Sequence, residues 1–166
     1  MTSRQRRRVA AGVTGGIAAS FVMDVVQNGW AALFERSRSK DERDEEVDGI
    51  ASVVRVAGRF VPALRSERGT NVAARIVHYV FGVGFAAAYV VSAERAPWLA
   101  ASNGVAFGSA LFVLSDRVLI PALKLGRSWS RYSRSERANA YFSHVAYGVV
   151  LELTRRRFAR SGEEAA

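Results

Sequence analysis

Two carboxylates and two imidazoles lie inside otherwise apolar stretches of this chain, and they recur in a fixed order. Gly12, Gly16 and Asp24 have the spacing G-x3-G-x7-D, and Gly104, Gly108 and Asp116 repeat it 92 residues later. The segments that follow each carry H-x-x-[FY]-G, with His78 leading to Gly82 and His144 to Gly148. Ionisable groups inside apolar helices cost several kcal/mol unless partnered, so Asp24, His78, Asp116 and His144 are functional candidates by default. Three chemistries suit them. In a structural lock, the carboxylates pair with the histidines, Arg75 or Arg117, each interhelical contact contributing about 0.6–2 kcal/mol in lipid. In a proton-responsive cluster, the imidazoles titrate between about pH 5 and 8, and burial raises the carboxyls toward that range. In a divalent metal site, the same four groups act as ligands. That last reading lacks any H-x3-H or H-E-x-x-H element, so neither a metal nor another cofactor is expected.

The elements that must position these residues are helices. Residues 9–34 form a first apolar segment in which Gly12, Gly16, Ser20, Asp24 and Asn28 fall at i, i+4 steps, placing small and polar groups on one stripe. Such stripes let helix backbones approach closely in lipid, which makes Gly12, Gly16, Gly82, Gly104, Gly108 and Gly148 candidate packing positions. Residues 35–71 read as an insertion. It begins with an acidic run, and Val47, Ile50, Ala51, Val54, Ala57, Val61 and Leu64 then recur at helical spacing. With Arg55 and Arg59 off that stripe, it predicts an amphipathic helix lying at the membrane surface. Residues 71–93 predict a second span with Arg75, His78, Tyr79, Gly82 and Tyr89 on one side. A short connection at 94–97 places residues 98–123 antiparallel beside it as the third. Residues 138–154 predict a fourth, at the lower length limit for crossing a bilayer, with Glu152 near its end.

Composition places these helices in a membrane rather than in a soluble bundle. Hydrophobic residues make up 49% of the 166 and charged residues 23%, and the charges are segregated between long apolar runs. That segregation hides behind a mean hydropathy of only +0.02. Residues 76–93 and 98–115 carry no charge on any face other than the imidazole of His78, whereas soluble bundles keep charged outer faces. The net charge of +9 sits beside the apolar segments, as it does next to anionic headgroups, so the expected partners are a lipid bilayer and not nucleic acid. The absence of cysteine removes disulfides and thiolate chemistry. Residues 4–23 imitate a signal peptide, but the apolar pattern continues to Phe34 and recurs in mid-chain, so a permanent helix is expected. No nucleophile elbow, phosphate loop, dinucleotide fingerprint or zincin motif occurs, and no enzymatic activity is expected.

At the Gly-rich first helix ending in Asn28-Gly29-Trp30, at His78-Tyr79-x-Phe81-Gly82 and at His144-x-x-Tyr147-Gly148, the chain resembles the YagU-like bacterial inner-membrane proteins. That family has no known biochemical function and is associated with acid resistance, which implies a proton-responsive role and assigns no catalytic residue. The expected architecture is all-α. It is a four-helix transmembrane bundle from two tandem helical hairpins, with an interfacial amphipathic helix inserted in the first. A basic flank at 1–8, a single transmembrane domain at 9–154 and a basic tail at 155–166 make up the chain, multi-pass in the bacterial inner membrane with both termini inside. Arg75, Arg117 and Glu152 are expected as supporting charges, the two arginines at or above the level of one Asp/His cluster and Glu152 at the opposite side, near the N-terminal arginines. The expected function is an acid- or stress-response membrane component. The rival is a small transporter or channel component, which would act as a homo-oligomer because four short helices leave little room for a pore.

Overall fold

The computed structural model describes residues 1–34, 66–122, 130 and 132–163, and no strand occurs among them. The predicted surface helix over 47–61 and the greater part of the insertion lie outside the described residues. Helix α1 spans Ser3–Phe34 and α2 spans Glu67–Arg95. Ser66 caps α2, its hydroxyl accepting from the Gly69 backbone N–H. After a short connection comes α3, Trp98–Ala101, then α4, Val105–Phe112. The chain continues from α4 as a seven-residue π-helix, Val113–Leu119, and a last turn, Ile120–Ala122. Helix α5 spans Arg134–Glu163.

Two predicted boundaries are corrected. The third segment is not one continuous helix, because the chain turns at Ser102–Gly104. There Asn103 and Gly104 both take positive φ, 54° and 88°, and the Ser102 hydroxyl accepts from Ala106 N–H to start the new helix. The fourth segment is nearly twice the predicted length, because the polar ends of α5 continue the helix beyond the apolar stretch at both sides. Among the described residues three helices are long and apolar enough to cross a membrane, Gln5–Phe34, Asn71–Arg95 and Val105–Ala122, and α5 is not among them.

Helix α1 packs along both α2 and α5, and α4 packs along α5. All three pairings are antiparallel. Gly12 meets Ala87 and Gly16 meets Val83 across α1 and α2. Gly15 meets Leu151, and Trp30 Nε1 donates to the Ser135 hydroxyl, across α1 and α5. Gly104 meets Gly148 and Gly108 meets His144 across α4 and α5. Much of the interior is small or polar: Ala19, Ser20, Ala86, Ala93 and Ser143 are buried beside Tyr89, Tyr147 and Leu151. Large apolar side chains such as Phe21, Ile76, Val80, Phe81, Val113 and Val118 are exposed. Apolar groups outside with small residues between the helices suit a lipid surround, where close packing rather than the hydrophobic effect joins helices.

Candidate functional site

The first Asp/His contact joins α1 to α2. Asp24 and His78 lie on facing stripes, His78 Nε2 standing 3.5 Å from Asp24 Oδ1. That separation is too long for a strong hydrogen bond, and Nε2 is otherwise unpartnered and buried. The carboxylate is held instead by the Tyr79 hydroxyl, which donates to Oδ2 at 3.1 Å. Asn28 donates to the Asp24 carbonyl one turn on. Arg75 lies one turn before Tyr79 and is exposed. This contact stands near the bundle edge, with the two side chains 23% and 28% exposed.

The second joins the π-helix to α5 and is deeper, the His144 side chain being 9% exposed and that of Asp116 16%. Side chains lean toward the N-terminus of their own helix, so an antiparallel pair aims Ser115, Asp116 and His144 at one level. His144 Nδ1 is 2.8 Å from the Ala140 carbonyl, which can only accept, so Nδ1 carries a proton. Nε2 is 3.0 Å from the Ser115 hydroxyl. That hydroxyl has one hydrogen and three neighbours able to take it: His144 Nε2, the Leu111 carbonyl at 2.8 Å and Asp116 Oδ1 at 3.2 Å. Neutral His144 takes the hydrogen from Ser115; protonated His144 donates to the oxygen and frees that hydrogen for Leu111 or Asp116. Asp116 Oδ2 is 3.9 Å from Nδ1, and the Phe112 ring stands edge-on to the imidazole at 5.9 Å. Arg117 follows Asp116 on the π-helix and is exposed. π-Helical turns occur frequently at functional sites.

These contacts bring the four residues together as two pairs, each aspartate with the histidine of the next long helix. Tyr79 and Ser115 complete the pairs, and sequence reasoning assigned neither a role. Tyr79 shares the His78 side of its helix, which was the available signal. Ser115 adjoins Asp116, but only the π-turn aims both at His144.

Glu152 occupies a separate site at the other end of the bundle. Its side chain is fully buried. Tyr89 donates to Oε2 at 2.7 Å, Arg155 grips both oxygens at 2.7 and 2.8 Å, and Arg156 donates to Oε1 at 2.6 Å. Arg156 also donates to the Ala100 carbonyl, so this carboxylate ties α2, α3 and α5 together. Of the N-terminal arginines, Arg8 bonds Glu94 of α2.

The packing glycines frame both pairs. A Cβ on Gly16 would stand 2.6 Å from Val83 Cα, and one on Gly82 would strike the buried Ser20 hydroxyl. Gly108 and Gly148 face α5 and α4 backbone at comparable distances. Tyr147 donates to the Gly82 carbonyl, linking α5 to α2 behind them. Among the described residues no three His, Cys, Asp or Glu side chains converge as metal ligands would.

A helical protein with three helices among the described residues able to cross a membrane, and Asp/His contacts between packed helices, is the class these observations define. Residues 60–153 match the model of a family described as protein of unknown function, DUF1440, and the chain belongs to that family. The matched stretch contains His78, Asp116, His144 and Glu152, while Asp24 precedes it. No curated protein and no solved structure matches the chain.

Proposed function

We propose that this chain is a multi-pass protein of the bacterial inner membrane, built from two tandem helical hairpins, whose Asp24–His78 and Asp116–His144 pairs make the bundle respond to acid. The observation that carries the reading is that each aspartate of the repeated sequence pattern meets the histidine that follows it. Helix α5 is the fourth crossing in this reading. Its polar residues Ser143, His144 and Glu152 are buried against its neighbours while Phe142 and Leu153 face outward, so its low apolar content is hidden from lipid. The resemblance to YagU-like proteins supports a role in acid resistance, and no enzymatic step or cofactor is part of it.

The mechanism is electrostatic. Each pair attracts as an ion pair only while its imidazole is protonated. Acid therefore tightens α1 on α2 and the π-helix on α5, and the Ser115 hydroxyl, now accepting from His144, turns its hydrogen to Leu111 or Asp116. Thermal stability of wild type, His78→Gln and His144→Gln from pH 5 to 8, with acid survival of cells carrying each, tests the proposal. The expected result is a wild type that gains stability on acidification and variants that fold at neutral pH without that gain. Parallel curves for all three, with unchanged survival, would leave the pairs as structural locks.

A further inference from the structure

Arg68, Val72, Arg75 and Ile76 fall at i, i+4, i+7 and i+8 along the start of α2, on one face. With Asn71 they line an open groove of about 530 Å³. Val72 and Ile76 are 54% and 59% exposed, and both arginines are exposed as well. Neither guanidinium has a hydrogen bond or ion pair among the described residues. The candidate span begins at Asn71, so Arg68 lies about one turn outside it and Arg75 about one turn inside. Their Cα atoms are about 10 Å apart along the axis, within the reach of two long side chains converging from either end. Trp30, which suits the membrane interface, marks the same end of the bundle, since α1 runs toward it from the Asp24–Tyr79 contact.

We infer that this groove binds one anionic glycerophospholipid, its phosphodiester between Arg68 and Arg75 and the start of its acyl chains on Val72 and Ile76. Planar guanidinium forks match phosphate oxygens in pairs. An apolar floor between two cations that have no ion pair among the described residues matches a molecule with a charged head and hydrocarbon tails better than a free phosphate or an acidic peptide. The stripe sits one turn from His78, so an occupied groove brackets the first Asp/His pair from the lipid side.

The inference rests on the membrane reading, and its test separates the two. Full-length protein is reconstituted in phosphatidylcholine nanodiscs containing phosphatidylglycerol, then released into neutral detergent, and the phosphatidylglycerol it retains is measured by native mass spectrometry. At roughly 1 kcal/mol for each basic side chain, one substitution lowers affinity about fivefold and both about twenty-five-fold. The expected result is loss of retained phosphatidylglycerol in Arg68→Gln/Arg75→Gln and normal retention in Arg6→Gln/Arg7→Gln at the other end. Equal retention in both double variants, or equal retention of phosphatidylcholine by the wild type, overturns the site. Alkaline carbonate extraction of cell membranes tests the membrane reading on its own: protein that stays in the pellet but shows no arginine dependence loses the groove and keeps the bilayer.

Discussion

A single methyl group at each glycine measures how closely the helices approach. At Gly108 an added Cβ would collide with the His144 carbonyl oxygen and come within 2.8 Å of Val145 Cα, all of it α5 backbone that cannot rotate away. Overpacking of this kind costs about 1–3 kcal/mol. Alanine recovers about 0.8–1 kcal/mol through its better helix propensity, so Gly108→Ala should lose up to about 2 kcal/mol. Gly84 has nothing within 4 Å of the same position, and Gly84→Ala should gain about 0.5–1 kcal/mol. Gly12 lies between, its Cβ 3.3 Å from Ala87 Cα, and its variant should be close to neutral. Gly16→Ala, 2.6 Å from Val83 Cα, should resemble Gly108→Ala. Gly104→Ala should be the worst, because its φ of 88° adds about 1–2 kcal/mol of strain to a backbone collision with Gly148. Reversible unfolding in mixed micelles at rising SDS fraction reads the series. If Gly108→Ala and Gly84→Ala unfold at the same SDS fraction, the helices do not approach as described and the packing argument is wrong.

The Glu152 site should be the most sensitive polar position: Glu152→Leu strips two guanidinium groups and the Tyr89 hydroxyl of their acceptor and should cost about 3 kcal/mol in the same assay. Tyr89→Phe should cost about 1–2 kcal/mol, with a coupling to Glu152 of at least about 0.5 kcal/mol in a double-mutant cycle. Ser115→Ala removes the partner of His144 Nε2 and should cost about 1 kcal/mol at neutral pH, a value that a melting curve beside wild type will check. Topology reporters on the two termini distinguish four crossings from three. The proposal expects both termini on the cytoplasmic side, whereas a C-terminal reporter active only outside would mean that α5 does not cross.

Much of the site was legible in the linear pattern, because spacing on a helix converts directly into a face. Steps of four put Gly12, Gly16, Ser20 and Asp24 on one stripe whatever they pack against. Periodicity and charge segregation likewise define the apolar segments, and an aspartate inside one demands a partner. The partner itself is a tertiary matter. The repeated spacing suggests identical hairpins, yet Gly16 faces Val83, five residues beyond His78, while Gly108 faces His144 itself. The two helix pairings are thus offset by five residues, about one and a half turns, and the second carries the Gly104 break and the π-helix where the first has a plain α-helix.

The residues alone determined that helices would form, where their apolar and polar stripes would run, and that Asp24, His78, Asp116 and His144 could not be left bare among them. Those are local properties, set by 3.6-residue periodicity and by the cost of isolating a charge. Which helices touch was decided only in three dimensions, because packing depends on how closely two particular backbones approach, and that distance is a property of neither chain segment by itself. The same reason explains why the Tyr79–Asp24, Ser115–His144 and Tyr89–Glu152 contacts emerged only with the fold: each joins side chains of two helices, whereas Arg155 and Arg156 stand three and four residues from Glu152 on one helix, a spacing already present in the linear pattern.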